Sequence, residues 1–339
     1  MATVGDISKH VLGNTILAQL TTRYPTPKAS LEGRTYIVTG ANTGLGLALA
    51  THLARLNASR VILAVRDIGK GNTARETILQ ETQFLGVLEV WELDMARFAS
   101  VAQFARKVET LDRLDGAALN AGVSTRGWHT TPDGWETTFQ VNALSTGLLA
   151  VLLLPLLQRT VLLADLPNSE HIPPHLTITG SGGQNVAKFQ ERFEDNILQA
   201  MNDESKFNSF DRYPTSKLFN YFISKKVAVL TLAQGVTVNV VDPGMNHSEL
   251  PRDAKLPLVV RGLIQLLAWP ASKGALNILY GLLAATPSGA YISRTRMQST
   301  AKWLDTEHGE QVRDRAWAEM VALWDAEVPH TNVRDIINA

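Results

Sequence analysis

No cysteine occurs among the 339 residues. That absence removes disulfides, thiolate nucleophiles and Cys-ligated zinc or iron–sulfur centres. An excess of charge of either sign is missing too. The 32 Lys and Arg are matched by 32 Asp and Glu, and no basic block breaks the balance, so the chain lacks the footprint of a nucleic-acid binder. The first twenty residues show no signal-peptide pattern, because Asp6, Lys9, His10 and Asn14 interrupt their apolar positions. Long hydrophobic runs are also absent. Residues 147–157 are too short to span a bilayer and contain Pro155, and residues 256–268 are short and broken by Arg261. Both runs read as buried helices of a soluble, cytoplasmic protein. With no thiol and no expected metal site, the chemistry must come from oxygen, nitrogen and a bound cofactor.

A hydrophobic fraction of 45% and a charged fraction of 19% suit one large domain with a sizeable core. Short β-rich runs fall at 35–39, 61–65, 88–93, 116–120, 176–179 and 236–241, with a candidate seventh at 290–293. Helical patterns lie between them at 45–56, 72–82, 98–111 and 141–157. Strands and helices alternating at this spacing predict βαβ units, hence a doubly wound, Rossmann-like α/β fold with a parallel sheet. The expected organisation is an N-terminal extension over 1–30, a catalytic core over 31–248, and a substrate-covering and helical segment over 249–339 of the same domain.

The first strand runs into Thr39-Gly40-Ala41-Asn42-Thr43-Gly44-Leu45-Gly46 and then a helix. Glycines suit a turn where a pyrophosphate must lie against bare backbone at the positive end of a helix. At the end of the second strand stand Val65, Arg66 and Asp67. Arg66 could pair in a fork with a 2′-phosphate. A register shift of one residue would instead place Asp67 where an NAD site wants an acid, and a solvated turn is the third alternative. Tyr213 and Lys217, four apart on a helix, share one face. An ammonium near a phenol favours phenolate, so the expectation is a tyrosine pKa below its usual value of about 10.

Further along come Asp94-Met95, Asn120-Ala121-Gly122, Asn142, Ser181, Tyr213-Pro214-Thr215-Ser216-Lys217, Pro243-Gly244 and Ser248. Together with the Thr-Gly-x-x-x-Gly-x-Gly turn, their identity and order resemble the short-chain dehydrogenase/reductase family over residues 33 to 293. The resemblance implies NADP(H) as cofactor, contacted by Gly40, Asn42, Thr43, Gly44, Leu45, Gly46, Arg66, Asp94, Met95, Asn120, Ala121, Gly122, Tyr213, Lys217, Pro243, Gly244 and Ser248. It implies Asn142, Ser181, Tyr213 and Lys217 as the catalytic set. Tyr213 would be the general acid or base, Lys217 would hold the nicotinamide ribose, Ser181 would bind the substrate oxygen, and Asn142 would hold a water. The serine segment departs from the family in one respect: Gly180 stands where a second serine is common.

Ser181 and Tyr213 are 32 positions apart, and the intervening 184–212 carries Phe189, Phe193, Ile197, Met201 and Phe207. That insertion is expected to wall the substrate pocket, the alternative being a helical excursion that packs its own apolar stripe. Leu256–Ala268 would give the site an apolar cover, and the aromatic stripe at 312–324 would pack on the domain. His129 and His247 receive no role. The pattern is closest to retinol-dehydrogenase-like and fungal secondary-metabolism members, which implies reduction of a lipophilic ketone or aldehyde, or the reverse alcohol oxidation. An NADP(H)-binding isomerase or cyclase, or a non-catalytic NADPH sensor, are the alternatives. In the family the helices at 141–157 and 213–230 often pair across a twofold, which implies a homodimer.

Overall fold

The structure, a computed structural model, describes Tyr24 and residues 27–163, 171–231, 234–246 and 268–339. The strand Thr35–Thr39 (β1) is buried along its whole length, as expected for a parallel strand covered on both faces. Its side chains alternate between two cores. Tyr36 and Val38 pack with Leu49, Leu53, Ile278 and Leu282, while Ile37 packs with Phe98, Leu148, Phe219 and Trp324 on the other face.

After β1 come helix Gly44–Arg55 (α1), strand Arg60–Val65 (β2), helix Ile68–Thr82 (α2), strand Val87–Glu92 (β3) and helix Phe98–Glu109 (α3). Strand Gly116–Leu119 (β4) leads to a long helix, Thr137–Val161 (α4), and to strand His175–Thr179 (β5). Turns and the short helix Ile197–Met201 (α5) precede helix Arg212–Thr231 (α6) and strand Thr237–Asp242 (β6). Helix Ala271–Leu283 (α7), the hairpin of Ala290–Ser293 (β7) and Arg296–Met297 (β8), helix Glu307–Glu327 (α8) and helix Val333–Asn338 (α9) complete the chain. The sheet order is β3-β2-β1-β4-β5-β6-β7-β8. The first seven strands are parallel, and β8 pairs antiparallel to β7. The strand order reverses between β1 and β4, so a crevice opens at their carboxyl ends.

The expected Rossmann-like architecture is present. α2 begins four residues earlier than its periodicity suggests, because Asp67 caps it by accepting the Lys70 N–H at 3.0 Å. The helix expected at 141–157 is part of α4, which starts on the Glu136 cap and contains a π turn at Gln140–Leu144. By length and composition α4 could cross a membrane, yet 94% of its apolar window is buried inside the protein. It is a core helix. β8 was not foreseen, since two exposed residues carry no periodicity.

The insertion differs from its expected role as a pocket wall. Phe189 is fully buried, with its ring 5.4 Å from that of Phe219 on α6. Ile197 and Met201 join the same core, and Phe207 meets Trp128 edge-on at 5.6 Å. The buried part of the 184–212 stripe, Phe189, Ile197 and Met201, therefore packs on the domain, and neither Phe189 nor the half-buried Phe207 lines the described cleft. The stripe at 312–324 packs as expected. Trp324 is buried with its indole N–H donating to the Leu144 carbonyl at 3.0 Å, above Gly147, where a Cβ would meet the indole at 2.8 Å. Segments 1–23 and 247–267, which include most of the N-terminal extension, Ser248, His247 and most of the apolar cover, lie outside the described residues.

α8 and α9 thus pack on α4 and α6, the helices that the family resemblance pairs across a twofold. That covering predicts one chain's mass in light scattering at micromolar concentration. A dimer built on α4 and α6 would require α8 to leave, and finding one would overturn this packing. A second expectation concerns the two phenylalanines of the insertion. Phe189→Ala should cost about 3–5 kcal/mol of stability in chemical denaturation, the range for emptying a large core site. Phe193, 63% exposed, should cost about 0.5 kcal/mol or less as a surface residue.

Candidate active site

The crevice is a cleft of about 930 Å³ running across the carboxyl ends of the strands. Its floor is set by glycines. Gly40 and Gly44 adopt left-handed conformations, φ +65° and +56°, which a side chain would strain. A Cβ on Gly46 would sit 2.3 Å from the Gly40 carbonyl oxygen, so only glycine lets α1 approach the turn this closely. No side chain caps α1, although Thr43 stands at its N-cap, and its first turn contains no acid. Unclaimed N–H groups at a helix N-terminus are suited to an anion. Beside Gly44 a Cβ would meet nothing within 4 Å, which leaves open space over the turn. Asn42, Thr43, Gly44 and Leu45 all line the cleft, whereas Gly46 works from below.

Asn120 joins the strands at the reversal. Its backbone N–H donates to Thr39 Oγ1 at 2.8 Å and its side-chain amide to the Thr39 carbonyl at 3.0 Å. The Ala121 N–H reaches the same hydroxyl at 2.9 Å. Gly122 continues the cleft wall. On the far side Asp94 and Met95 line the cleft. Asp94 accepts the Ala96 N–H at 3.0 Å and faces Arg97 at 3.8 Å, so its carboxylate is fixed in direction. Pro243 and Gly244 line the opposite end.

At the end of β2 both Arg66 and Asp67 line the cleft. Val65 is the last strand residue and is buried, Arg66 is the first beyond it and is exposed, and Asp67 caps α2. Arg66, Asp67 and Lys70 line the cleft here, so the mouth carries two cations and one carboxylate, of which one oxygen is spent on the helix. Lys70 was not singled out from sequence. Its position follows from the Asp67 cap, which sets the phase of α2.

At the other end the structure brings Ser181, Tyr213 and Lys217 together. Ser181, just past β5, accepts the Gly183 N–H at 3.1 Å and hydrogen-bonds Tyr213. The Lys217 ammonium donates to the Thr179 carbonyl at 2.8 Å and lies 5.8 Å from the Tyr213 ring centre. Burial pushes the Lys217 amine down to about 8. Tyr213 is pushed up to about 12, chiefly by burial, with a hydrogen bond from Ser181 opposing and the Asp242 carboxylate adding to the rise. In the free chain the phenol is thus raised, with the Lys217 ammonium turned toward the Thr179 carbonyl.

Asn142 is buried in the π turn of α4, and its side chain is fully engaged. It accepts the Val123 N–H, donates to the Val123 carbonyl, both at 2.8 Å, and donates to Ser216 Oγ at 3.0 Å. The side chain thus clamps the 121–123 loop to α4 and α6. Asp242 went unnoticed in the sequence. It lines the cleft and accepts the Gly244 N–H at 3.0 Å and the Ser293 hydroxyl at 3.2 Å. Only the pairing of β6 with β7 brings Ser293 to it.

Comparison with known proteins agrees with this arrangement. Residues 34–161 match the short chain dehydrogenase family model. The chain is similar to the short chain dehydrogenase atnD of Emericella nidulans, 37% identical over 77% of this chain and 83% of that protein. It is also similar to the short chain dehydrogenase/reductase mfmJ of Annulohypoxylon moriforme, 34% identical over 94% and 91% of the two chains. Among solved structures, an uncharacterized protein from Mycobacterium paratuberculosis superposes with a TM-score of 0.68 and 25% identity, covering 90% of this chain and 98% of its own. The Pseudomonas aeruginosa RhlG/NADP active-site complex gives a TM-score of 0.57 and 25% identity over 79% and 96%. With the glycine turn, the switch-point asparagine and the Ser-Tyr-Lys cluster in one cleft, the chain belongs to the short-chain dehydrogenase/reductase family of oxidoreductases.

Proposed function

We propose that the protein is an NADP(H)-dependent reductase of a lipophilic ketone or aldehyde, also able to oxidise the corresponding alcohol. The observation that carries this reading is the meeting of Ser181, Tyr213 and Lys217 at one end of a cleft whose other end holds Arg66 and Lys70. The residues present suit such a cofactor: bare backbone and an uncapped helix for a pyrophosphate, two cations for a 2′-phosphate, and Asp94 and Met95 for an adenine. The RhlG neighbour is itself described as an NADP complex. When bound, NADPH supplies the hydride.

The chain's own residues then handle the oxygen and its proton. Ser181 hydrogen-bonds the substrate oxygen and stabilises the charge growing on it. Tyr213, protonated across the neutral range with its pKa pushed up to about 12, is in the correct state to donate that proton. Lys217 remains largely protonated at pH 7, since its amine titrates at about 8, and it supplies positive charge as the phenolate forms. For alcohol oxidation Tyr213 must first lose its proton, so the oxidative rate should rise with pH. The reductive rate should fall over the same range. The positive charge of an oxidised nicotinamide lowers the phenol pKa in that complex. We further propose a cytoplasmic protein, in keeping with the balanced charge and the buried α4.

Two measurements test this reading. Tyr213→Phe should lower kcat by about 100-fold or more on a panel of carbonyls, with NADPH binding retained and the alkaline ionisation of the oxidative reaction gone. Full reductase activity in this variant would place the proton donor elsewhere. Tight NADPH binding without turnover by the native chain would remove the reductase assignment altogether. Arg66→Ala should weaken NADPH binding by about 1.5–3 kcal/mol, the range for a charge-assisted hydrogen bond, and leave NADH nearly unaffected. Equal losses for the two cofactors would sink the 2′-phosphate assignment.

A further inference from the structure

Arg212 stands immediately before Tyr213 in the first turn of α6, with 1% of its side chain exposed. A cation at a helix N-terminus opposes the helix dipole, and a buried one gives up its hydration. Two carboxylates face it at ion-pair distance, and neither Nε nor Nη2 makes a hydrogen bond among the described residues. Arg212 Nε lies 3.6 Å from Glu136 Oε2, and Nη2 lies 3.5 Å from Glu191 Oε1. The remaining nitrogen, Nη1, approaches Met201 Sδ at 3.0 Å, and the guanidinium lies 5.4 Å from the Phe207 ring centre. Burial has a cost for all three charged groups, lowering the guanidinium pKa and raising both carboxylates.

Each partner belongs to a different part of the site. Glu136 caps α4, accepting the Thr138 N–H at 2.9 Å and the Phe139 N–H at 2.8 Å. The Thr125 hydroxyl lies 3.5 Å from Glu136 Oε1 and 2.9 Å from the Thr138 hydroxyl, and Thr125 lines the cleft. One turn along α4, Asn142 clamps Val123. Glu191 and Met201 belong to the insertion, which Asp211 also holds by accepting the Lys188 and Phe189 N–H groups at 2.8 and 3.0 Å. The residue adjoining the proposed proton donor is thus the common partner of the 123–125 cleft wall, the start of α4 and the insertion.

We infer that Arg212 is a positioning residue: through Glu136 it fixes Tyr213 against the 123–125 wall, and through Glu191 it fastens the insertion to the same point. The inference rests on the reductase reading above. Within the insertion it is Glu191 that then bears on catalysis, from behind the described cleft, by helping Arg212 hold the start of α6 in place.

The experiment compares Arg212→Met, Arg212→Lys, Glu136→Gln and the Arg212→Met/Glu136→Gln double variant in the full chain. Each is measured for kcat and KM on a carbonyl panel, NADPH dissociation constant and Tm. Glu319→Gln serves as control, because Glu319 also anchors the insertion, at Ile197 and Leu198, but touches nothing in the cleft. Arg212→Met should lower kcat per NADPH-binding site by about 10- to 100-fold, the scale of a small misplacement of a reacting group. Its NADPH dissociation constant should change less than about twofold, since that cofactor's phosphate contacts lie at the other end of the cleft. Arg212→Lys should fall between, and the double variant should regain activity over Arg212→Met by removing the stranded carboxylate. The control should lose Tm without losing kcat.

Native kcat in Arg212→Met, or the same kcat loss in Glu319→Gln at equal loss of Tm, would overturn the inference. If Arg212→Met does not fold, Glu136→Gln decides: it keeps an acceptor for the α4 cap while removing the charge, and undiminished kcat there would overturn it too. Wild type run in the same assay separates the two readings. An inactive wild type removes the reductase reading and this inference with it, whereas an active wild type with an unaffected Arg212→Met removes this inference alone.

Discussion

The hydroxyl of Thr39 accepts two backbone N–H groups, from Asn120 and Ala121, at the point where the sheet reverses its strand order. Strands β1 and β4 are parallel neighbours whose loops leave on opposite sides, so something must hold their ends together while the chain diverges. Thr39 and Asn120 do this with three hydrogen bonds near 3 Å. The Gly40 turn then lies against Ala121, where an added Cβ would meet the Ala121 Cα at 3.0 Å. Loosening this junction would separate the glycine turn from the 121–123 loop. Asn142 is held to that loop by its two bonds to Val123.

Much of this was legible in the sequence because the relevant constraints are local. A glycine needed at a positive φ, a tyrosine and a lysine one helical turn apart, and a strand that alternates between two cores each leave a mark within a few residues. The glycine turn, Asn120, Asn142, Ser181 and the Tyr213–Lys217 pair therefore fall where the motif order placed them. What the sequence hid depends on contacts made across the fold. Phe189 follows Ser181 by eight positions, yet α6 draws its ring into the core, and Phe207 turns its ring edge-on to Trp128. Asp242 gains its meaning from Ser293 across a strand pair, and Arg212 from Glu136 and Glu191. The tyrosine pKa is of the same kind, because burial of the phenol is a sum over the surrounding core that a four-residue spacing does not report.

Buried charge is distributed unevenly around the site. At one end of the cleft Arg66 is exposed, whereas toward the other Lys217 and Arg212 are enclosed. Desolvation makes enclosed charges costly unless partners stand in fixed positions, so the catalytic end must be rigid before any ligand arrives. The open end has no such requirement. The cleft therefore combines a solvated rim at Arg66 with a more enclosed end, where Ser181 and Tyr213 still line open space.

The order in which the chain is made gives the covering by α8 a further consequence. Every residue proposed for catalysis lies before residue 218, but the helix that seals α4 occupies residues 307 to 327. A nascent chain that has not yet reached residues 307–327 would present Gly147 and its apolar neighbours to water, with Trp324 not yet available. Domains fold as units during translation and expose sticky surface until they close. For this protein the sealing helix is made after every residue proposed for catalysis, so a chain cut before residue 307 would carry the proposed catalytic set together with an unsealed, aggregation-prone core.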